Sequence, residues 1–67
     1  MTIPDLIRSA RLSAKLTQVK LGEMVGYTGT TAQVQIAQWE AGTRPIPRDK
    51  LKAVALILKI PLETLLP

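Results

Sequence analysis

The apolar residues of this chain recur at helical spacing, and no stretch shows the sustained period-two alternation of a strand. The first set of apolar positions, three or four residues apart, is Ile3, Ile7, Ala10 and Ala14. Leu6 lies beside this stripe, and Pro4 suits the first turn of a helix because its missing N–H has no partner to lose there. The pattern predicts a first helix from Pro4 to Ala14.

A second, shorter helix is predicted between Thr17 and Gly26. Thr17 is a good N-cap residue, and Gly26 can adopt the left-handed conformation that commonly ends a helix. The apolar residues at helical spacing between them are Val19, Leu21, Met24 and Val25. The helix is therefore expected to be barely two and a half turns long.

The third predicted helix, at about Thr31 to Ala41 and ending at Gly42, has two unlike faces. One face is predicted to be buried because its residues lie at i−4, i+3 and i+4 around Ile36; they are Ala32, Trp39 and Glu40. The opposite face carries no charge and consists of Thr30, Thr31, Val34, Gln38 and Ala41, with Gln35 and Ala37 at its edges. A helix that only meets water usually carries Lys and Glu on its outer face, so this face indicates another role.

Two further helices complete the predicted fold. Pro45 and Pro47 place a loop after the third helix, because each disfavours the helical conformation of the residue before it. A fourth helix from Arg48 to Lys59 carries one apolar face, formed by Leu51, Val54, Ala55 and Leu58. Ile60 and Pro61 end it, and a short fifth helix in "LETLL" has three residues that close the core or a partner surface, Leu62, Leu65 and Leu66. The chain is thus predicted to be all-α, a compact bundle of five short helices forming a single domain over residues 1–67.

The residue types exclude most catalytic chemistry. The 67 residues contain neither cysteine nor histidine, so disulfides, thiolate zinc sites and the commonest general base are all absent. The five carboxylates lie far apart without a paired spacing; they are Asp5, Glu23, Glu40, Asp49 and Glu63. We therefore expect no metal site, no cofactor and no enzymatic activity.

Charge and hydropathy indicate a polyanionic partner. The formal net charge is +4 and the isoelectric point is near 10, which favours nucleic acid or an acidic surface. Trp39 and Tyr27 are the only aromatic residues, too few for a module that stacks single-stranded bases. No apolar run reaches about 18 residues and the start does not resemble a secretory leader, so we expect a cytoplasmic protein that does not enter a membrane.

Two short helices joined by a glycine-bearing connection and packed on a helical scaffold are typical of the helix-turn-helix. Four segments, "IRSAR", "LTQVKLGEMVG", "IAQWEAGTR" and "LKAVALILKIPLETLL", follow one another from about Ile7 to Leu66. Each segment alone is a weak signal, but in this order and mostly at this spacing they resemble the lambda-repressor and Cro type of helix-turn-helix proteins, the XRE-like regulators. The resemblance covers nearly the whole chain.

The resemblance implies a lambda-repressor-like fold in which the second and third helices form the helix-turn-helix. It implies a sequence-specific regulator of transcription, of repressor type, that binds a pseudo-palindromic operator in double-stranded DNA as a homodimer near the nucleoid. Counted back from "IAQWE", the residues that align with the family's base-reading positions are Gln33, Val34, Gln35 and Gln38. Arg11 and Glu40 look like the family's structural ion pair, and Gly22 stands where the family usually has alanine and where the third helix must approach closely.

The residue types on the third helix also favour particular bases. Gln can form two hydrogen bonds with adenine, and the methyl groups of Val or Thr can pack on the methyl group of thymine. Arg, the commonest reader of guanine, is absent from residues 28–42. These residues predict an operator whose contacted bases lean toward A and T.

Contacts to the DNA backbone are expected from residues that flank the third helix. Thr17 and Gln18 lie at the first turn of the second helix, where free N–H groups can hold a phosphate. The full set of expected backbone contacts is Lys15, Thr17, Gln18, Lys20, Thr43, Arg44 and Arg48, with Lys50 as a further candidate. Each basic side chain has simple solvation as its alternative, and we expect Arg8 and Lys59 to be scaffold surface.

The chain departs from the family's spacing before the third helix. Gly26 and Ile36 are separated by nine residues, "YTGTTAQVQ", where the family has about five. The additional residues either lengthen the turn or add a turn to the start of the helix, with Thr30 or Thr31 as the cap in both cases. Gly29 suggests a flexible loop, and Tyr27 is expected to cover the edge of the core or to reach a phosphate.

Two other functions remain compatible with the sequence. The fold could serve as a protein-interaction module or an antitoxin subunit that binds a protein partner through its neutral third helix, since a fold does not determine a function. A membrane-surface peptide is disfavoured, because the positive charges are spread over several segments. Since so small a chain has no separate oligomerisation domain, a dimer is expected to form through the loop from Arg44 to Pro47 or the tail from Leu62 to Leu66.

Overall fold

The computed structural model describes residues 2–66 as five α-helices with no strand. The helices are α1 (Ile3–Ser13), α2 (Gln18–Met24), α3 (Gly29–Ala41), α4 (Arg48–Leu58) and α5 (Leu62–Leu65). The all-α prediction is therefore confirmed, with every predicted helix present in the predicted order.

A capping box determines where α1 begins. The Thr2 hydroxyl accepts a hydrogen bond from the Asp5 N–H at 3.3 Å, while the Asp5 carboxylate accepts one from the Thr2 N–H at 3.4 Å. The Thr2 hydroxyl also donates to that carboxylate, and these bonds lower the pKa of Asp5. Of the predicted apolar stripe, Ile7 is fully buried, whereas Ile3 and Ala14 are exposed because they lie at the two ends of the helix.

The Thr17 cap of α2 is confirmed, since its side-chain oxygen accepts the Lys20 N–H at 3.0 Å. Gly26 has a positive φ of 108°, as expected of a residue that ends a helix. Of the four apolar residues of this segment, Leu21 and Val25 enter the core. Val19 and Met24 remain 40% and 46% exposed, because the four positions cover more of the helix surface than a single face.

The additional residues before Ile36 lengthen α3 and do not lengthen the turn. Helix α3 begins at Gly29, two residues before the predicted start, and runs for 13 residues. The expectation that Thr30 or Thr31 caps the helix is wrong: the cap position is Thr28, whose side chain makes no capping bond. Gly29 is likewise not a loop residue but the first residue of the helix, where its φ of 58° suits a residue without a Cβ atom.

Helix α4 contributes the predicted apolar face, with Leu51, Val54, Ala55 and Leu58 all buried. It ends one residue earlier than predicted, because Lys59 adopts a left-handed conformation with φ 57° and its N–H donates to the carbonyl of Ala55. Ile60 and Leu65 are buried beside this face, whereas Leu66 is exposed. The tail after α4 therefore closes the core through Ile60 and Leu65, and Leu62 packs against it while partly buried.

Helices α2 and α3 approach each other closely at Gly22. A Cβ atom added to Gly22 would lie 2.7 Å from the Cα atom of Ala32 and would also overlap the carbonyl group of Ala32. Both residues are buried. The close approach expected at Gly22 is confirmed, and it sets the spacing of the two helices that carry the candidate site.

Candidate nucleic-acid interface

The buried face predicted for α3 is confirmed, and the outer face is confirmed except at Gln38, which is partly buried. Ala32, Ile36 and Trp39 are buried in the core and hold the helix against the rest of the protein. The opposite face is open to solvent at its N-terminal half, where Val34 is 43% exposed. Around it, Thr30, Thr31 and Gln33 are also exposed, whereas Gln35 and Gln38 are partly buried. The structure therefore presents an uncharged polar surface on a rigidly anchored helix.

An ion pair ties the end of α3 to α1, as predicted. Arg11 is only 8% exposed, and its Nε donates to Oε2 of Glu40 at 2.6 Å while Nη2 donates to Oε1 at 3.2 Å. The remaining nitrogen, Nη1, donates to the carbonyl of Leu16 at 2.8 Å. Because all three nitrogens have partners, one side chain joins α1, the connection to α2 and the end of α3.

Gln18 belongs to the same network. Its Nε2 donates to Oε1 of Glu40 at 3.3 Å, so the side chain at the first turn of α2 is held by the far end of α3. The sequence pattern did not indicate this bond, because the two residues are 22 positions apart. Gln18 was predicted as a phosphate contact; the structure places its backbone at the start of α2 and its amide nitrogen on Glu40.

Tyr27 covers the edge of the core, which was one of its two predicted roles. Its ring meets the ring of Trp39 edge to face, with centroids 6.0 Å apart and an angle of 61° between the planes. The ammonium group of Lys50 lies 4.9 Å from the centre of the Tyr27 ring, within the range of a cation–π contact. Burial raises the pKa of Tyr27, and the nearby charge of Asp49 adds to this shift. Lys50 therefore has a partner inside the protein.

Gln38 lies where α3 ends and the following loop begins. Its side-chain oxygen is buried and has no hydrogen-bond partner among the described residues. Its main-chain carbonyl accepts bonds from the N–H and the hydroxyl of Thr43, at 3.1 and 3.4 Å. Thr43, a predicted backbone contact, is thus held against the end of the helix, next to the exposed Arg44.

The four predicted phosphate-binding cations are all exposed. Lys15 follows the end of α1, Lys20 lies on α2, Arg44 lies in the loop after α3, and Arg48 begins α4. None of them forms an ion pair with another residue in the described part of the chain. They are available to an anionic partner.

A comparison with protein families matches residues 7–65 to the family described as Helix-turn-helix. The chain belongs to the helix-turn-helix family. The match is to the type that resembles the lambda repressor, so the resemblance noted in the sequence is confirmed. Comparisons with curated proteins and with solved structures found no significant match.

Membership in the helix-turn-helix family identifies α2 and α3 as its two characteristic helices. The family consists of DNA-binding regulators, and this protein is therefore a DNA-binding helix-turn-helix regulator. Among residues 2–66, no helix is long and apolar enough to cross a membrane, and no cluster of three or more possible metal ligands occurs.

Proposed function

We propose that this helix-turn-helix protein is a sequence-specific repressor of transcription that reads double-stranded DNA with the outer face of α3. The proposal is supported mainly by the outer face of α3, which carries no charge and is open to solvent at its N-terminal half. Ala32, Ile36 and Trp39 anchor the helix in the core. A helix of this kind fits the major groove, where each base pair presents a distinct pattern of donors, acceptors and methyl groups.

Four residues of α3 are proposed to read bases: Gln33, Val34, Gln35 and Gln38. Gln33 and Val34 are the most accessible, whereas Gln35 and Gln38 lie closer to the body of the protein. Amide groups suit adenine and the Val34 methyl groups suit thymine, so the proposed half-site is rich in A and T. Gln38 carries a buried amide oxygen without a partner, which leaves its amide nitrogen as the group offered to a base.

Phosphate contacts are proposed for residues that precede and follow α3 along the chain. Those in and before α2 are Lys15, Thr17, Gln18 and Lys20, and those after α3 are Thr43, Arg44 and Arg48. The positive charges would supply most of the salt-dependent affinity. The start of α2 would contribute main-chain N–H groups, since the Gln18 amide is bonded to Glu40.

A homodimer on a pseudo-palindromic operator is part of the proposal. The two segments predicted for dimer contacts meet at one surface depression of about 460 Å³, whose lining includes Pro45, Ile46 and Leu65. The remaining walls are largely apolar, with Arg44 and Arg48 also among the lining residues. Two-fold symmetry at this place would set two half-sites about one helical turn of DNA apart.

The test of the proposed function is a titration with duplex DNA at several salt concentrations. A DNA-binding protein that neutralises several phosphates should lose affinity steeply as salt rises. A flat response would instead favour the protein-interaction or antitoxin alternative, in which the neutral face of α3 contacts a protein. The lambda-type family match and the unpaired cations beside α3 support DNA.

Replacing Gln33 by Ala should reduce discrimination between the operator and random DNA by about 1–3 kcal/mol, the value of a two-bond contact with a base. Gln38→Ala should reduce it less, because only the amide nitrogen of Gln38 is left for a base. Affinity for random duplex should change little, because the proposal assigns both amides to bases and neither to a phosphate. The fold should persist in Gln38→Ala, since the buried amide oxygen has no bond to lose. Binding to both kinds of duplex measures the effect, and circular dichroism checks the fold. Equal losses on every duplex would refute the base-reading role.

Replacing Arg44 by Ala should weaken binding to operator and random DNA alike. The slope of log affinity against log salt should become shallower by about 0.9, the value for one phosphate contact. Arg8→Ala is the matched control, because Arg8 is exposed on α1 and is expected to be scaffold surface. If the two variants have the same salt slope, Arg44 does not contact a phosphate.

A further inference from the structure

The residues in the first turn of α3 are exposed to solvent. The earliest buried residue of the helix is Ala32, and the preceding Gly29, Thr30 and Thr31 are all exposed. A Cβ atom added to Gly29 would have no neighbour within 4 Å. This turn is therefore not required to pack against α2, and its side chains are available to whatever the outer face of α3 contacts.

The exposed threonine side chains of this turn are uncharged, and each carries a methyl group. Thr30 and Thr31 precede Val34 by four and three residues, so all three side chains lie on neighbouring positions of the helix surface. Val34 is itself 43% exposed. Together they form an exposed patch of methyl groups at the N-terminal end of α3, which we call the methyl patch.

We propose that the methyl patch recognises the 5-methyl groups of thymines in the major groove, and that Thr30 and Thr31 are additional specificity-determining residues. Among the four bases, thymine alone presents a methyl group on the major-groove edge. The inference rests on the proposed function, because it requires the outer face of α3 to lie in that groove.

The length of α3 assigns the threonines to different base pairs from Gln38. Thr30 and Gln38 are eight positions apart, which is about 12 Å along a helix, whereas base pairs are stacked about 3.4 Å apart. When the helix lies along the major groove, the two residues therefore meet different base pairs. The projecting turn therefore extends the sequence that the helix reads.

The experiment begins with selection of bound duplexes from a random pool, followed by replacement of the selected thymines, one at a time, by deoxyuridine. This replacement removes only the methyl group. At the thymines that meet the methyl patch, the wild-type protein should lose about fourfold in affinity per methyl, the equivalent of about 0.8 kcal/mol. Thymines elsewhere in the duplex should tolerate the replacement.

Matched variants separate the methyl group from the hydroxyl group. Thr30→Ser and Thr31→Ser remove only the methyl group, and they should lose about fourfold on the thymine duplex and nothing further on the deoxyuridine duplex. Thr30→Val and Thr31→Val keep the methyl group and should retain the wild-type preference for thymine. Thr64→Ser on the exposed surface of α5 is the control and should behave as wild type.

The outcomes distinguish this inference from the proposed function. If the pool yields no enriched sequence, both are overturned. If a sequence is enriched but contains no thymine whose methyl group affects affinity, only the methyl patch is overturned. The same conclusion follows if the valine variants lose the preference while the serine variants keep it, since the hydroxyl groups would then make the contact.

Discussion

Replacing Glu40 by Ala should lower the free energy of unfolding by about 3–5 kcal/mol, because it leaves Arg11 buried without a counter-charge. Arg11 is 8% exposed and directs both Nε and Nη2 at Glu40. The same substitution removes the acceptor of the Gln18 amide. A domain of this size has a total stability on the order of 3–10 kcal/mol, so the variant should be largely unfolded at moderate temperature.

Urea unfolding followed by circular dichroism measures this loss. The control is Glu23→Ala, which removes a carboxylate from the exposed surface of α2 and should change stability by no more than about 0.5 kcal/mol. Replacing Arg11 and Glu40 together by apolar residues of similar size should restore much of the stability, because no buried charge is then left without a partner. A Glu40→Ala protein as stable as Glu23→Ala would show that the pair does not hold α3 in place.

Replacing Gly22 by Ala should destabilise the protein by about 1–3 kcal/mol, although the same change inside an exposed helix is stabilising by about 1 kcal/mol. The added methyl group would overlap the main chain of Ala32, which cannot rotate away as a side chain can. Helices α2 and α3 would have to separate, and the outer face of α3 would shift relative to α2.

The free energy of unfolding of Gly22→Ala is again compared with that of Glu23→Ala, which is one residue further along the same helix but exposed. The sign of the difference is the decisive quantity. A gain in stability on adding the methyl group would mean that α2 and α3 have room for alanine, as the family's usual residue at this position would suggest.

Local sequence signals predicted much of the fold. The Thr17 cap, the glycine at the end of α2 and the apolar spacing of α4 each depend on residues within one or two turns, and each was confirmed. The start of α3 was less predictable. Thr30 and Thr31 are common capping residues, yet the helix begins before them, because the preceding Gly29 can take a positive φ.

The parts of the candidate site that depend on tertiary contacts were harder to predict. The resemblance indicated the pair of Arg11 and Glu40. The bond from Gln18 to Glu40 and the cation–π contact of Lys50 with Tyr27 were not predicted, because they join separate elements and produce no periodic pattern in the sequence. The two faces of α3 were predictable because a single helix carries both. The bases that the outer face contacts depend on the DNA as well, so the protein sequence alone does not determine them.

Nuclear magnetic resonance of the protein bound to a selected duplex tests the central claim most directly, since it reports which methyl groups lie against the bases. Val34 on α3 and Leu56 on α4 provide the comparison, because both are exposed, at 43% and 81%, on different helices. We expect nuclear Overhauser contacts from the Val34 methyl groups to major-groove base protons and none from Leu56. Contacts from Leu56 with an unperturbed Val34 would contradict it.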